Sequence, residues 1–293
     1  MTVRPTGTDG LAVVDKAAGW TSHDVVAKAR GVLGTRKVGH SGTLDPDATG
    51  VLLLGVGRVT RLLRYLGVPA KTYTAVIVLG TATSTLDASG EVIASWDMDG
   101  VTVADVRSAA ASLTGDILQV PPMVSAIRVD GRRLHELARE GVEIERQPRP
   151  VTVHSFDVRE PTEPGCFPIE VTCSSGTYVR SLAADVGTAL GGGAHLRDLR
   201  RTAIGSFTAD QGRPVEALTE EALLSPAEAL RDLDAVMVDE TVAGDVAHGK
   251  VLERAQLGVR GSGPWPVVGE DGTLLAVYEP HRGTTAKPSV VLC

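Results

Sequence analysis

Aromatic side chains are scarce in this chain, with three phenylalanines, three tryptophans and four tyrosines among 293 residues. Each tyrosine or tryptophan therefore says more than usual about where a core or a stacking surface lies. Cysteine is scarcer still. Cys166, Cys173 and Cys293 are odd in number and have neither metal-ligand nor CxxC spacing, so a metal site built on them is excluded and a reduced, cytoplasmic protein fits. No apolar run approaches the roughly 20 residues that a bilayer span requires. The opening MTVRPTGTDG has no apolar core of the kind a secretory signal carries. Both absences imply a cytoplasmic protein with no membrane partner.

What is present is ordinary globular composition, long enough for one large core or a large domain with a small one. The net charge is −7, and residues from 214 onward account for all of it, with 6 Lys/Arg against 13 Asp/Glu. Residues 1–71 carry 10 basic and 5 acidic side chains. A local excess of that size is the scale on which a phosphate-contacting surface is built. By itself it is explained at least as well by an unevenly charged, solvated surface.

Periodicity predicts a strand at GLAVVDK and then a helix over TSHDVVAKARGVLG. That helix would be capped by Thr21 or Ser22, with Asp24 in its first turn and Val25, Val26, Ala29, Val32 and Leu33 as its apolar face. A glycine-rich loop, GHSGTLDPDATG, leads into the strand VLLLGVG and a helix VTRLLRYLG. KTYTAVIVLG alternates as a strand with Tyr73, Ala75, Ile77 and Leu79 on one face. A helix over Val103–Leu113 is capped by Thr102. Farther on, a tight turn is expected at Asp130-Gly131, a short helix over Leu134–Arg139, and a strand running into a helix in IEVTCSSGTYVRSLAADVGTALGGG. HLRDLRR has helical spacing. A hairpin turning at Asp271-Gly272 and a last strand, PSVVLC, make a β-rich tail beyond a compositional break near 225–235. The strand-heavy order predicts an α+β body with a mixed, largely antiparallel sheet.

Several residues are candidates for chemistry. Asp45 precedes Pro46, which pushes it into extended backbone, and the surrounding glycines let a large ligand approach closely. The same pattern also serves as a plain turn in which Asp45 is the cap. Arg180, three residues after a Thr177 N-cap, would stand at the third helical position, where a cation is disfavoured by the positive end of the helix dipole. A broken local rule of this kind suggests a distant carboxylate partner, such as Asp45. An exposed, tolerated arginine is the alternative. Tyr73 and Tyr178 read as core aromatics, His40 as a loop histidine, and Leu199 as a helix residue beside solvated Arg197, Arg200 and Arg201. VLLLGVGRVT mimics a dinucleotide fingerprint, but its third glycine is Thr60 and the next acid, Asp87, lies too far on.

Taken together, these stretches resemble a known family. SGTLDPDATGVL is similar to the signature of the bacterial tRNA pseudouridine-55 synthases of the TruB type. DKAAGWTSHDVV, KTYTAVIVLGTATSTLD, VPPMVSAIRVDGRRLHELAREG, CSSGTYVRSLAADVG and GAHLRDLRRTAIGSF resemble its other motifs, in order, over residues 10 to about 210. The resemblance implies isomerisation of uridine to pseudouridine in the T-loop of transfer RNA, without cofactor or metal. Asp45 would be the catalytic nucleophile and Arg180 its ion-pair partner. Tyr73 would stack on the target uracil, Tyr178 would line the pocket, Leu199 would pack near the flipped nucleotide, and His40 would fill the space the base leaves. Lys16 would support the site structurally. Ala17 stands where the family pattern has proline, which implies a less rigid backbone there.

The resemblance further implies a pseudouridine synthase catalytic domain over residues 1–230, with an RNA-gripping insertion at about 120–150, and a PUA-like domain over 231–293. The acidity of the latter argues against strong phosphate gripping by it. The partner would be the tRNA T-stem-loop, and the chain a monomer. Two other classes stay open. One is a non-catalytic RNA-binding module on a retired synthase, which the Asp45, Tyr73 and Arg180 set argues against. The other is a glycosidic-bond hydrolase of free nucleosides, which would not need the arginine-rich segment 128–149.

Overall fold

The computed structural model describes residues 8–125, 128–129, 131–133, 140, 142, 144–161 and 163–293. The early strands are β1 Gly10–Lys16, β2 Val38–Ser41, β3 Thr49–Val56, β4 Lys71–Leu79, β5 Thr81–Thr83 and β6 Val92–Ser95. β7 Gly115–Gln119, β8 Arg128–Val129, β9 Arg132–Arg133, β10 Arg149–Val158, β11 Cys166–Cys173 and β12 Ala194–Ile204 follow. The last are β13 Phe207–Thr208, β14 Val236–Met237, β15 Leu252–Glu253, β16 Trp265–Val268, β17 Leu274–Pro280 and β18 Thr285–Val291. The helices are α1 Ser22–Val32, α2 Leu63–Leu66, α3 Val103–Ser112, α4 Val179–Ala189, α5 Glu240–Ala247 and α6 Arg254–Leu257. The chain forms two compact units that interleave in sequence, one of Met1–Pro46, Gly50–Pro69 and Gly205–Cys293, the other of Asp47–Thr49 and Ala70–Ile204.

In the first unit β3 is flanked by β1 and β2, both antiparallel to it, with Val14 opposite Leu52 and His40 opposite Leu54. Leu52 and Leu54 pack with Val25, Val26 and Ala29 of α1, which is why that helix is amphipathic. Thr21 is its N-cap. Its hydroxyl accepts from Asp24 N at 3.1 Å while the Asp24 carboxylate accepts from Thr21 N at 2.9 Å, a reciprocal capping box. Val32, expected on the apolar face, is 37% exposed, while Leu33 packs against the core. VTRLLRYLG is not one helix. A 3-10 helix, Gly57–Leu62, takes up its first four residues and only Leu63–Leu66 is α-helical.

The tail of this unit is a sheet in the order β14-β16-β17-β18-β15, closed around Trp265, Val267, Ala276 and Tyr278. Gly272 makes the expected turn with φ 79°. The Gly57–Leu66 segment is bonded to this sheet. Arg61 Nη1 donates to Val291 O at 2.7 Å, Arg58 donates to Leu292 O, and Arg64 pairs with Glu279 at 2.8 Å. The Tyr65 hydroxyl meets Glu279 and Ser289, and burial pushes its pKa up to about 12.

The large sheet of the second unit runs in the order β12-β4-β11-β10-β7, antiparallel throughout. On β4 the residues Lys71, Tyr73, Ala75, Ile77 and Leu79 are buried and those between them are not, which is the alternation the sequence predicts. α3 and α4 pack against this sheet. A Cβ on Gly187 would lie 2.4 Å from Ala194 N, so only glycine lets α4 come this close to the start of β12. HLRDLRR is not helical. It is part of β12, with a bulge between Arg197 and Arg200 and Asp198 at φ 56°. The extra residue shifts the period from two towards three, which is what imitates a helix. Arg201, read as solvated, is 1% exposed. β8 and β9 pair across a turn that includes Gly131 at φ 82°. The helix expected over Leu134–Arg139 lies outside the described residues. The architecture is α+β with largely antiparallel sheets, as expected.

Candidate active site

The Asp45 loop joins β2 to β3, and both neighbours of Asp45 are fastened to other elements. On one side, Leu44 is buried and its peptide is held by Ser22, whose Oγ accepts from Leu44 N at 2.9 Å and lies 3.2 Å from Leu44 O. Because Thr21 caps α1, Ser22 is left for this second task. On the other side, Pro46 O accepts from Lys16 Nζ at 2.8 Å and from Gly19 N at 3.0 Å. Lys16 is 1% exposed, and its ammonium also donates to Ala17 O at 2.9 Å and Trp20 O at 2.7 Å. Three donors thus meet three carbonyls, which offsets the desolvation of a buried cation. Gly42, at φ 76°, lets the loop turn. Asp45 itself is half-buried. His40, on β2, stands edge-on to His23 with ring centroids 5.2 Å apart.

In the second unit, Tyr73 lies on β4, Leu199 on β12, and Tyr178 and Arg180 at the start of α4. Tyr73 is 8% exposed, paired with Val171 of β11 and Arg201 of β12. Leu199 sits in the β12 bulge, beside the Arg200↔Thr74 pair. Cys173, the end of β11, pairs with Lys71, and the chain then turns through Ser174–Thr177 into α4. Thr177 is not the N-cap. Its hydroxyl turns back to Ser174 Oγ at 3.4 Å, and Tyr178 takes the cap position without a side-chain cap bond. Arg180 accordingly stands at the second helical position rather than the third.

Arg180 is 4% exposed. Its Nη1 donates to Thr85 O at 2.8 Å and lies 3.3 Å from Asp87 Oδ2, and its Nη2 donates to Val124 O at 2.9 Å. Asp87 is in turn fixed through Oδ1, which accepts from Thr85 Oγ1 and Ser89 Oγ, both at 2.6 Å. Sequence reasoning met Asp87 only as the acid that came too late for a dinucleotide site. Its signal was the TSTLD run, whose hydroxyls flank a carboxylate. Gln119 was missed outright. This 2% exposed amide accepts from Tyr178 N at 2.7 Å and donates to Tyr178 O at 3.1 Å, and nothing in its own neighbourhood foretells a partner 59 residues away.

Lys71 and Cys173, paired across β4 and β11, both have shifted titrations. Burial, reinforced by the nearby Arg201 charge, lowers the Lys71 pKa to about 8. Burial raises the Cys173 thiol to about 11. Among the described residues, no group of three or more His, Cys, Asp or Glu is arranged to hold a metal ion. No helix among them is long and apolar enough to cross a membrane.

Comparison with known proteins adds the following. Residues 30–179 match the model of the TruB family pseudouridylate synthase N-terminal domain, and residues 180–239 match that of the tRNA pseudouridylate synthase B C-terminal domain. The chain is 49% identical to tRNA pseudouridine synthase B of Rhodococcus jostii (strain RHA1), over 97% of this chain and 93% of that protein. It is 46% identical to the protein of that name from Thermobifida fusca (strain YX), over 97% and 98%. Among solved structures it resembles a chain of a Cbf5-Nop10-Gar1 complex, with TM-score 0.76 and 25% identity over 99% of this chain and 87% of that one. It also resembles a chain of the archaeal box H/ACA sRNP Nop10-Cbf5 complex, with TM-score 0.73 and 23% identity over 98% and 88%, a likeness of fold alone.

Proposed function

The chain belongs to the TruB family of pseudouridylate synthases, and from that premise we propose that it isomerises uridine 55 in the T-loop of transfer RNA with Asp45 as nucleophile. Its general activity is that of a tRNA pseudouridine synthase, an isomerase. The N1–C1′ bond breaks, the uracil turns, and C5 joins C1′. C5 gives up its proton and N1 gains one, so the product has the atoms of the substrate and no redox partner is called for.

The single observation that carries the role of Asp45 is the fastening of the peptides on both sides of it, to Ser22 and to Lys16. A carboxylate aimed by its scaffold is prepaid in orientation, and orientation is a large part of what an enzyme contributes. We propose that Arg180 pairs with Asp45 and keeps it ionised through a charge-assisted hydrogen bond. The target base leaves its stack at a cost of a few kcal/mol, roughly, which stacking and hydrogen bonds in the pocket offset. Tyr73 stacks on the extruded uracil, Tyr178 lines the pocket, Leu199 packs near the nucleotide, and His40 fills the space left in the RNA. On the same reading residues 1–230 form the catalytic domain and 231–293 a PUA-like domain, in a monomer that engages the T-stem-loop.

The test is to incubate purified protein with unmodified tRNA and map pseudouridine by position. Wild type is expected to modify position 55, and Asp45→Asn to form no pseudouridine while binding the T-stem-loop with nearly unchanged affinity. Turnover by Asp45→Asn would remove Asp45 from the nucleophile role, and modification of free uridine would favour a nucleoside enzyme instead.

A further inference from the structure

α4 begins without a side-chain cap of its own, although its first turn carries Arg180. Helix starts leave N–H groups without intrahelical partners, and a buried start must find them elsewhere. For one of them, the N–H of Tyr178, the partner comes from β7. Gln119 turns a buried primary amide onto the main chain of Tyr178, accepting from its N–H at 2.7 Å and donating to its carbonyl at 3.1 Å. Both halves of the side-chain amide are matched to both halves of the residue, as in a short piece of β-ladder. That fixes direction as well as distance, since neither bond survives a rotation of the Tyr178 backbone.

The contact does not stand alone. Immediately after Gln119 the chain continues to bond with the same turn of helix. Ser181 Oγ donates to Val120 O at 3.3 Å, and Arg180 Nη2 donates to Val124 O at 2.9 Å. Arg146, from the far end of the segment 120–150, donates through Nη1 to Pro121 O at 3.0 Å. Tyr178, Arg180 and Ser181 are thus joined in one first turn to Gln119, Val124 and Val120. On β7 itself Leu118 is 72% exposed and Gln119 2%, so a polar side chain is buried where an apolar one is left in solvent. Burying an amide is unfavourable unless its hydrogen bonds are made, and this one makes them to a single residue of the candidate site.

We infer that Gln119 is a positioning residue for the isomerisation. It holds the N–H and carbonyl of Tyr178, the N-cap residue of α4, and locks the first turn of that helix to the root of the segment 120–150, so that the Arg180 guanidinium and the Tyr178 ring keep their places. The inference rests on the reading above in which Arg180 and Tyr178 serve the reaction. It goes further in naming a residue that touches neither substrate nor Asp45 and acts through main chain.

The experiment compares wild type with Gln119→Met, which keeps length and loses both hydrogen bonds, and Gln119→Glu, which keeps the acceptor for Tyr178 N and turns a second oxygen towards Tyr178 O. The single-turnover rate of pseudouridine formation is read at saturating tRNA and normalised to the folded fraction from circular dichroism, with tRNA Kd from filter binding. Gln119→Met is expected to slow that rate at least about tenfold, the scale on which small misplacements act, with Kd within about threefold of wild type. Gln119→Glu is expected to fall between the two. A merely structural glutamine would lower the folded fraction and leave the normalised rate alone, and that result overturns the inference. If Gln119→Met does not fold, Gln119→Glu decides: a slowed normalised rate upholds the role and a wild-type rate overturns it. Inactivity of the wild type itself on tRNA would instead sink the proposed function.

Discussion

A guanidinium as buried as that of Arg180 needs acceptors in several directions, and two main-chain carbonyls with the Asp87 carboxylate supply three of them. Asp87 is 24% exposed at its side chain, so the value of the pair is reduced by solvent screening. Asp87→Ala is expected to destabilise the protein by about 2 kcal/mol, below the range for removing one member of a fully buried pair. It should also reduce pseudouridine formation more than tRNA binding. Urea denaturation and the turnover assay check the two halves, and a variant with wild-type stability and rate would make the contact incidental. At this scale the sequence singles out residues that stand in a recognisable motif, namely Asp45, Tyr73 and Arg180, as the expected site. It did not disclose those defined by a partner far along the chain. Asp87 and Gln119 are both of the second kind, and so is Ser22, which looked like a cap.

Lys71 provides a second residue-scale prediction. Its folded-state pKa lies near 8 against an ordinary 10.5, so between these values the unfolded chain holds a proton that the fold does not. Stability contributed by Lys71 therefore rises with pH across that window, is complete above 10.5, and is lost as pH falls through about 8. Cys173 runs the other way, its thiol raised from 9.0 to about 11, and opposes the rise above pH 9.0. The difference in unfolding free energy between wild type and Lys71→Met should change by roughly 3 kcal/mol between pH 8 and 10.5. A flat difference would mean that Lys71 titrates normally.

Elements were legible in proportion to how local their causes are. α1 and α3 begin with the same device, Thr21 with Asp24 and Thr102 with Asp105, and both starts are visible in four residues of sequence. β4 shows its alternation openly. β12 does not, because one extra residue at Asp198–Leu199 breaks the period of two, and α4 begins one residue late because Thr177 is spent on the Ser174 turn. Thr102→Ala is expected to destabilise the protein by about 1 kcal/mol at neutral pH. Thr102 holds the Asp105 carboxyl below its usual 3.8, so the stabilisation is present above that value and lost as pH falls through the folded pKa. The gap between variant and wild type should narrow accordingly in urea melts near pH 3, and a constant gap would show that the reciprocal bond contributes nothing.

For the whole molecule, charge is the property the sequence described least well. The basic excess of residues 1–71 fits a phosphate-contacting surface or an unevenly charged solvated one, yet much of that positive charge is committed internally. Lys16 and Arg30 donate to carbonyls, Lys71 is buried, and Arg58, Arg61 and Arg64 hold the C-terminal sheet. Arg36 and Lys37 remain exposed just ahead of β2, the strand that carries His40. tRNA affinity should fall with rising salt as counterions are released. Arg36→Gln and Lys37→Gln should each reduce the slope of log K against log salt by about 1. Arg61→Gln should leave the slope alone and lower thermal stability instead. A reduced slope for Arg61→Gln would reverse this division between binding and structural arginines.

Apart from the Asp87 carboxylate, the partners of Lys16, Ser22, Gln119 and Arg180 described above have one thing in common: Pro46, Leu44, Tyr178, Val124 and Thr85 are engaged through their peptide groups. A peptide group is supplied by whatever amino acid occupies the position. Such a contact survives a change of side chain wherever that side chain has no task of its own, as at Val124, so long as the backbone keeps its course. An engineer can therefore diversify Val124 in a library without dismantling the cradle around the arginine, whereas Thr85, whose hydroxyl also holds Asp87, has to stay.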